Sequence, residues 1–432
     1  MVINAPYSNE MNDSEILRIL THRHESLREE PTIFDSENDN SRIVDTHPDG
    51  YPIITDEFWT SKQRKGSSIH EISYRACFKP QLPNYFINLF TKSQDIVYDP
   101  FGGRGTTAIE AALLNRNVII NDVNPLSAIL TKPRISIPHI SEIEKRLQSI
   151  PLYQNRKANI DISMFYHPET ESEIVSLRDY LIERKDTGKG DYIDDWIRMV
   201  ATNRLSGHSK NFFSVYTLPP NQACSAKKQS ELNKKYGREP EYKPVKEIIL
   251  TKSYALQKDI SEEIRTQMLE MGKKALFLNN DASQTQQIKD SSVSLVVTSP
   301  PFLDLIDYAG DNWLRCWFND IDMDVVQSKI TVVNKLDKWE QYMKSVLAEL
   351  FRVLKPGGMV AFEVGEVRNG KIKLDESILP LGKDLRFEIT GVLLNTQVFT
   401  KTSNIWGVSN NSKGTNTNRI VLMKKRTNEN RH

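Results

Sequence analysis

Two short segments of this 432-residue chain combine residue types that can do chemistry together. One is DPFGGRGTT at 99–107, which has three glycines after an acidic residue. Glycine tolerates positive φ and lets a ligand approach the backbone closely. The other is TSPPF at 298–302, which has a hydroxyl group, two prolines and an aromatic ring. We predict a cofactor pocket beside a pocket for a flat substrate that carries an amine.

A strand is predicted before the three glycines and a helix after them. Residues 95–99 are rich in β-formers, and 106–115 repeat apolar residues at helical spacing. Asp99 would then end the strand, where its carboxylate can meet an amino group of a ligand. The spacing is neither the dinucleotide GxGxxG nor the GK[ST] of a P-loop. A bare connection between strand and helix is the alternative interpretation.

Two further acidic residues follow predicted strands. Asp122 comes after the apolar run 117–121, where open α/β sheets place a carboxylate for ribose hydroxyls. Asp281 comes shortly after the run 275–278 and can accept from an adenine amine. Each aspartate alone could instead be a helix N-cap. Three acidic strand ends around one glycine turn favour a nucleoside ligand.

The loop 299–302 offers acceptors and an aromatic face after the predicted strand 292–298. Its two prolines lack backbone donors, which leaves carbonyl oxygens and the Ser299 hydroxyl. An exocyclic amine of a nucleobase is a poor nucleophile, and acceptors aimed at its N–H bonds weaken its conjugation with the ring. Phe302 can stack on the base, which must leave the duplex to be reached. A stiff loop that packs an aromatic ring is the alternative.

These segments resemble the cofactor and catalytic motifs of the amino-methylating DNA methyltransferases, which use S-adenosylmethionine. KPQLPNYFINLF at 79–90 resembles the helix before their cofactor strand, and RVLKPGG at 352–358 resembles a turn after their catalytic strand. LSGHSKNFFSVYTLPPNQ at 205–222 is similar to a subset of these enzymes. The likeness covers 78–130 and 275–425. It implies an α/β, Rossmann-like methyltransferase fold with a mostly parallel seven-stranded sheet, helices on both faces and S-adenosylmethionine as cofactor.

The resemblance also implies site residues. The expected catalytic residues are Ser299, Pro300, Pro301 and Phe302. The expected cofactor-binding residues are Lys79, Pro80, Asp99, Pro100, Phe101, Gly102, Gly103, Gly105, Thr106, Thr107, Asp122 and Asp281.

The residue before the proline pair bears on the target base. In the family, serine there is typical of cytosine-N4 enzymes, whereas Asp or Asn is more frequent in adenine-N6 enzymes. Ser299 therefore indicates cytosine N4, with adenine N6 as the alternative. Two departures stand out: Arg104 replaces a small residue of many members, and the cofactor motif precedes the catalytic motif, the reverse of many N4 enzymes.

The cysteines exclude other chemistries. Cytosine-C5 methylation needs a thiolate, usually in a Pro-Cys pair, and none of Cys77, Cys224 and Cys316 follows a proline. Three cysteines without a pairing pattern indicate a reducing compartment and no disulfide framework. Their spacing offers no zinc site, so no metal is expected.

Length and pattern suggest three regions. We predict a helical or flexible N-terminal appendage at 1–60 and a catalytic domain at 61–131 and 273–432. The sheet should end in strands 388–399 and 419–424, as an antiparallel pair. An insert at 132–272 is expected to be the target-recognition region.

The insert is mainly helical by its apolar spacing. Helices are predicted at 140–150, 168–185, 192–204 and 246–271. Between the last two lies a polar-aromatic segment, where Arg, Asn and Gln can contact base edges and Lys can contact phosphates. The expected DNA-binding residues are Arg204, His208, Lys210, Asn221, Gln222, Lys227, Lys228, Lys234, Lys235 and Arg238. A solvated loop is the alternative for the lysines.

Composition agrees with a cytoplasmic enzyme. The formal net charge is +1, so DNA binding would need a local basic face. No apolar run approaches the length of a membrane span, and the first residues lack signal-peptide order. We expect a site-specific DNA methyltransferase, the modification enzyme of a restriction system, with duplex DNA and a cognate restriction endonuclease as partners. The alternatives are an RNA methyltransferase and a catalytically silent nucleic-acid binder.

Overall fold

The computed structural model describes most of the chain. The described residues are 20, 43–56, 66–74, 77–217, 224–301, 308–329, 335–367, 371–396 and 417–426. The strands are β1 (Ile43–Thr46), β2 (Pro52–Asp56), β3 (Ile96–Asp99), β4 (Asn117–Asn121), β5 (Leu276–Leu278), β6 (Val293–Thr298), β7 (Leu354–Val364), β8 (Glu366–Val367), β9 (Ile372–Lys373), β10 (Phe387–Thr396) and β11 (Thr417–Lys425).

Helices connect these strands. They are α1 (Gln81–Phe90), α2 (Thr106–Leu113), α3 (Leu126–Ile135), α4 (Ile140–Ser149), α5 (Pro168–Asp186), α6 (Tyr192–Arg204), α7 (Ala226–Tyr236), α8 (Val245–Leu256), α9 (Glu262–Lys274), α10 (Tyr308–Phe318), α11 (Met323–Lys329), α12 (Leu336–Val353) and α13 (Leu374–Asp384). A short 3₁₀ helix spans Ser68–His70.

One large sheet organises the molecule, in the order β1-β2-β10-β11-β7-β6-β3-β4-β5. The pairs from β7 through β6, β3 and β4 to β5 are parallel, and β11 is antiparallel to both β7 and β10. The predicted α/β fold and the antiparallel final pair are confirmed. Seven strands, from β10 to β5, form the expected sheet.

The sheet has two more strands than the sequence indicates. β1 and β2 pair as an antiparallel hairpin, and β2 joins β10 in parallel through Val392 opposite Ile53. These residues belong to the segment predicted as a helical or flexible appendage. The sequence pattern that could have indicated this strand is short, because β2 is only five residues long. Its place is decided by pairing with β10, far away in the sequence.

The sheet separates two hydrophobic cores. Successive side chains of a strand point to opposite faces. Val97 of β3 therefore packs with α1 and α2, whereas Tyr98 packs with α12 and α13. Helices on both faces are thus confirmed, and the carboxyl ends of β3, β4, β5 and β6 meet at one edge.

The insert shares the first of these cores. Trp196 of α6 and Ile249 of α8 belong to the same buried cluster as Val97. The predicted helix 246–271 is two helices, because Ser261 caps a new one by accepting from the backbone N–H of Ile264 at 3.2 Å. The second of these, α9, packs beside α2 and β4. The insert boundary predicted at residue 272 therefore falls within the last turn of α9, a helix that supports the sheet.

Candidate functional site

The glycine turn follows β3 and precedes α2, as predicted. A Cβ on Gly102 would lie 2.3 Å from Ile120 Cγ1, and one on Gly105 would lie 2.2 Å from Thr131 Oγ1. Gly105 also has a φ of +79°, which L side chains rarely adopt. Glycine is therefore required because the turn lies directly against β4 and α3. The backbone at Gly103 is left facing an open pocket.

The pocket lies at the carboxyl ends of the parallel strands, where open α/β sheets bind ligands. Nucleoside-binding features occur along it: a carboxylate, backbone amides and an aromatic ring. Its lining residues are Tyr74, Pro100, Phe101, Gly103, Asn121, Asp122, Val123, Asn124, Asn280, Ala282, Ser299, Pro301, Lys329 and Tyr342. The structure thus brings parts of both predicted motifs, 99–107 and 298–302, into one cavity.

Asp122 lines the pocket immediately after β4. Its carboxylate accepts from the backbone N–H of Gly103 at 2.8 Å and of Asn124 at 2.9 Å. Burial raises its pKa, and the two backbone donors counteract that shift. The carboxylate therefore stands next to the glycine turn, where it can accept from ligand hydroxyls.

Asp281 and Tyr342 stand at the same end of the site. The Tyr342 hydroxyl donates to Asp281 Oδ1 at 3.2 Å, and the Ser283 backbone N–H donates to the same oxygen at 2.8 Å. Tyr342 and Ala282 line the pocket, whereas Asp281 does not. Tyr342 is therefore part of the pocket wall, and Asp281 holds its hydroxyl. Neither Tyr342 nor its role is visible from the sequence motif.

Asp99 is buried and is not among the residues that line the pocket. Its side chain is 2% exposed, and it accepts from the Thr298 hydroxyl at 2.7 Å and from the Phe101 backbone N–H at 3.1 Å. Burial raises its pKa to about 7. Asp99 joins the ends of β3 and β6, the two strands that carry the motifs. Its expected contact with a ligand amine stays a prediction.

The other predicted cofactor residues are placed around the turn. Pro100 and Phe101 line the pocket. Thr107 donates its hydroxyl to the Val297 carbonyl at 3.1 Å, and Thr106 accepts from Arg104 Nε at 3.2 Å. Both threonines therefore stabilise the turn without lining the pocket. Lys79 and Pro80 begin the segment leading into α1 and do not line the pocket.

Ser299 lines the pocket directly after β6. Its hydroxyl is hydrogen-bonded to Glu363, a fully buried carboxylate on β7 that also accepts from Asn418 Nδ2. Burial raises the pKa of Glu363 to about 7, and both hydrogen bonds lower it. Because Ser299 donates to Glu363, the serine oxygen keeps lone pairs for a substrate. Glu363 was missed because it belongs to an apolar strand more than sixty residues downstream.

The proline pair of the loop is anchored from α12. Trp339 Nε1 donates to the Pro301 carbonyl at 3.0 Å. Pro301 lines the pocket, whereas Pro300 is buried and does not. Phe302 lies outside the described residues.

Asn121 is a further pocket residue that the sequence did not single out. Its amide donates to the Pro100 carbonyl at 3.2 Å and the Asn280 carbonyl at 3.0 Å, and its oxygen accepts from the Asn280 N–H at 2.9 Å. It therefore ties together the ends of β3, β4 and β5. An asparagine at a strand end is the only signal available in the sequence.

The predicted DNA-binding lysines lie on a helix. Ser225 caps α7, and Gly237 ends it with a φ of +58°. The exposed lysines of this helix are Lys227, Lys228, Lys234 and Lys235. The segment is thus a helix and not a loop, and the contact of its exposed lysines with DNA stays a prediction.

An aromatic cluster accompanies this helix. The Arg238 guanidinium lies 4.5 Å from the Tyr216 ring centroid and 4.7 Å from that of Tyr236. His208 lies 6.2 Å from the Tyr216 ring, and both His208 and Lys210 are exposed. Asn221 and Gln222 lie outside the described residues.

Arg204 differs from its expected place on a DNA surface. It is 6% exposed, donates to Asn203 Oδ1 at 2.6 Å and stacks 3.8 Å from the Phe212 ring centroid. Burial lowers its pKa to about 10. The arginine therefore packs inside the insert, because its position on the last turn of α6 faces the core.

The described residues contain neither a metal site nor a membrane span. No group of His, Cys, Asp or Glu among them could hold a metal ion. Within the same part of the chain, no helix has the length and apolar character to cross a membrane.

Strand order, the antiparallel β11 and the pocket at the strand ends define a Rossmann-like methyltransferase fold. A family model described as DNA methylase (N6_N4_Mtase) matches residues 11–131 and 293–431, more than half of the chain. The chain belongs to this DNA methylase family. The unmatched stretch between the two ranges contains the insert.

The sequence identity to individual relatives is low. The chain is 26% identical over 319 residues to the type II methyltransferase M.BsoBI of Geobacillus stearothermophilus, covering 66% of this chain and 61% of that one. It is 25% identical over 290 residues to the type II methyltransferase M.MvaI of Kocuria varians, covering 61% and 59%. The alignments thus span about three fifths of these relatives. A solved rRNA methyltransferase, aviRa of Streptomyces viridochromogenes, has a TM-score of 0.33 at 12% identity, with 84% of this chain and 90% of that chain covered.

Proposed function

We propose that this protein transfers a methyl group from S-adenosylmethionine to the exocyclic N4 amine of a cytosine flipped out of duplex DNA. The observation that carries the proposal is the Ser299–Glu363 hydrogen bond at the pocket wall. It leaves the serine oxygen as an acceptor beside the turn that would hold the cofactor. Membership of the DNA methylase family supports the class of substrate.

The pocket residues fit S-adenosylmethionine. Gly102 and Gly105 let the turn lie directly against β4 and α3, and the backbone of Gly103 is left open to a ligand in the pocket. We assign the ribose hydroxyls to Asp122 and the adenine ring to the wall formed by Ala282 and Tyr342. When bound, S-adenosylmethionine supplies an electrophilic methyl group on a sulfonium ion. The methionine end would then lie at Gly103, next to Ser299.

The chain's own groups would act on the target amine. The Ser299 oxygen accepts one amine N–H, which frees the nitrogen lone pair for the methyl carbon as its bond to sulfur breaks. The proton that the methylated nitrogen must lose passes to Ser299 while the serine proton passes to Glu363. A carboxyl group with a pKa of about 7 can accept a proton near neutral pH. Phe302 is assigned to stacking on the flipped base.

Cytosine N4 is preferred over adenine N6 because a serine precedes Pro300. Adenine N6 remains the second candidate, since both amines need the same acceptors and the same methyl donor. Separation of the digested nucleosides by mass spectrometry distinguishes N4-methylcytosine from N6-methyladenine after incubation with duplex DNA. N6-methyladenine as the product would overturn the base assignment and keep the reaction class.

The reaction class has its own test. Tritiated methyl transfer from S-adenosylmethionine should occur to duplex DNA, and Ser299→Ala should depress the single-turnover rate with cofactor and DNA both saturating. Transfer at the parental rate would remove the loop from the catalytic centre. Transfer to RNA but not DNA, or transfer to neither, would favour the RNA methyltransferase or the silent binder.

We further propose that the enzyme is the modification half of a restriction system, with an endonuclease that cleaves the same sequence when it is unmethylated. The two relatives named as type II methyltransferases support this role. Sequencing of DNA from cells that express the protein should find the modified base in one short sequence. Modification scattered over unrelated sequences would contradict it.

A further inference from the structure

Tyr74 has no part in either motif, yet its ring lines the pocket together with Gly103, Ser299 and Pro301. Tyr74 is 9% exposed, and its ring atom Cε1 lies 3.7 Å from where a Cβ of Gly103 would be. It therefore lies at the glycine-turn end of the cavity, where the methyl group would be transferred. Tyr342, the other tyrosine of the lining, is held by Asp281, which accepts from its hydroxyl at 3.2 Å.

The backbone that presents Tyr74 is held by donors from two different parts of the chain. Asn203 Nδ2 of α6 and an Arg315 guanidinium nitrogen of α10 each donate to the Ser73 carbonyl at 3.0 Å. Both side chains are buried, with 2% and 7% exposure. Two buried donors on one carbonyl leave the adjacent residue little freedom to move.

Further contacts fix the same segment. Arg104 of the glycine turn donates to the Ile72 carbonyl at 3.0 Å, and Asp259 accepts from the Ser68 backbone N–H at 2.9 Å. The Arg315 guanidinium carbon lies 5.7 Å from the Tyr74 ring centroid, within the range of a cation–π contact. A rigid aromatic wall beside an acceptor loop suits a flat ring better than it suits a flexible aliphatic chain.

We propose that Tyr74 is a wall of the pocket for the flipped target base, and that Asn203 and Arg315 are the positioning residues that hold it. This inference rests on the function proposed above. The Tyr74 ring contacts the face of the base while Ser299 accepts from its amine. Because Asn203 and Arg315 come from α6 and α10, the base pocket is braced by the insert and by the helix after the catalytic loop.

A thermodynamic cycle tests the contact. Binding is measured for the parent and for Tyr74→Leu, each with duplex DNA that has the target base and with duplex that is abasic at that position. Stacking of a base on an aromatic ring corresponds to roughly 5- to 150-fold in affinity. Tyr74→Leu should therefore weaken binding of the intact duplex by that factor and leave binding of the abasic duplex unchanged. Equal effects on both duplexes would overturn the proposal.

Cofactor affinity without DNA provides the matched control. Tyr74→Leu should leave the calorimetric affinity for S-adenosylmethionine unchanged, whereas Tyr342→Leu should lower it. The base-dependent factor, which is the ratio of the affinities for the intact and the abasic duplex, should keep its parental value in Tyr342→Leu. Loss of cofactor affinity in Tyr74→Leu with no base-dependent factor would assign Tyr74 to the methionine end instead. Asn203→Ala, which keeps the Arg315 bond, should reduce the base-dependent factor while cofactor affinity stays at the parental value.

A measurement on the parent protein covers the case in which Tyr74→Leu does not fold. Duplex with 5-iodocytosine at the target position is irradiated, and the crosslinked peptide is identified by mass spectrometry. A crosslink to Tyr74 is expected, and crosslinks to other residues alone would overturn the proposal. Failure of the parent to methylate DNA would sink the proposed function itself, whereas methylation without a base-dependent factor would sink only the role of Tyr74.

Discussion

The Thr298 hydroxyl donates to Asp99 Oδ1 at 2.7 Å, and this bond joins the carboxyl ends of two adjacent parallel strands. One strand leads into the glycine turn and the other into the loop that begins at Ser299. The bond is buried, because Thr298 is 0% and Asp99 2% exposed. The distance between the two motifs is thus set by a buried contact between residues that do not line the pocket.

Asp99 should make stability depend on pH. Burial raises its folded-state pKa from 3.8 to about 7, so the folded state binds the proton more tightly than the unfolded state. This contribution is fully present below the unfolded pKa and is lost as pH rises from about 4 to about 7, in total ~4 kcal/mol. Urea unfolding at several pH values across this range should show that the free energy of unfolding of Asp99→Asn increases relative to that of the parent as pH rises. In the control Asp186→Asn, at an exposed site, the free energy of unfolding should change with pH as it does in the parent. A pH-independent difference in this free energy between Asp99→Asn and the parent would contradict the expectation.

Gly105→Ala should destabilise the protein more than its backbone angle alone would. Gly188 has a φ of +67° with open space around it, whereas Gly105 has +79° and its Cβ would lie 2.2 Å from Thr131 Oγ1. Left-handed backbone costs L residues ~1–2 kcal/mol, so Gly188→Ala should lose about that much. Overpacking should add ~1–3 kcal/mol in Gly105→Ala. Equal unfolding free energies for the two variants would show that the turn moves freely away from α3.

Asp122→Ala should weaken S-adenosylmethionine binding. Ribose hydroxyls left without their acceptor cost about 1–3 kcal/mol, which corresponds to about 5- to 150-fold in affinity. Calorimetry with purified protein measures this directly. Asp324→Ala, an exposed change on α11, serves as the control. An undiminished cofactor affinity in Asp122→Ala would remove this carboxylate from the site.

Protonation of Glu363 should determine how the rate of methyl transfer falls on the acidic side of its pH profile. Its carboxylate accepts from Ser299 above a pKa of about 7 and is protonated below it, so the single-turnover rate should fall as the solution is acidified through that pKa. Glu363→Gln should lower the rate by roughly 10²-fold and flatten that side of the profile. Glu366→Gln, which alters a carboxylate paired with Arg419 at 2.9 Å, is the matched control. A parental profile in Glu363→Gln would exclude the proposed proton path.

The lysines of α7 should contact phosphates. Replacing Lys227, Lys228, Lys234 and Lys235 with Ala should weaken binding to all DNA sequences and reduce the slope of log affinity against log salt by up to ~0.9 for each phosphate that is no longer neutralised. Lys92 and Lys289 lie before β3 and β6, at the opposite edge of the sheet from the pocket. Their replacement should leave the slope unchanged. An unchanged slope in the α7 variant would mean that these lysines contact only solvent.

The sequence predicted the parts of the site that are local in the chain. The glycine turn, Asp122 and Ser299 each follow a recognisable strand, so their shared edge could be inferred. Glu363 and Tyr74 could not, because their proximity to the pocket comes from strand pairing and from buried donors distant in sequence. Arg204 was placed on a DNA surface because residue type alone does not tell which side of a helix faces the core.

The sheet joins segments from nearly the whole length of the chain. β3 pairs with β6, and β2 pairs with β10 through Leu393 opposite Ile54. Such pairings have a high contact order, and loop-closure entropy must be overcome before they form. We therefore expect slow folding, in which the helices of the insert can form early from local contacts. Gly103 and Asp122 therefore stay without Ser299 and Pro301, which complete the lining of the pocket, until the chain beyond Thr298 has left the ribosome.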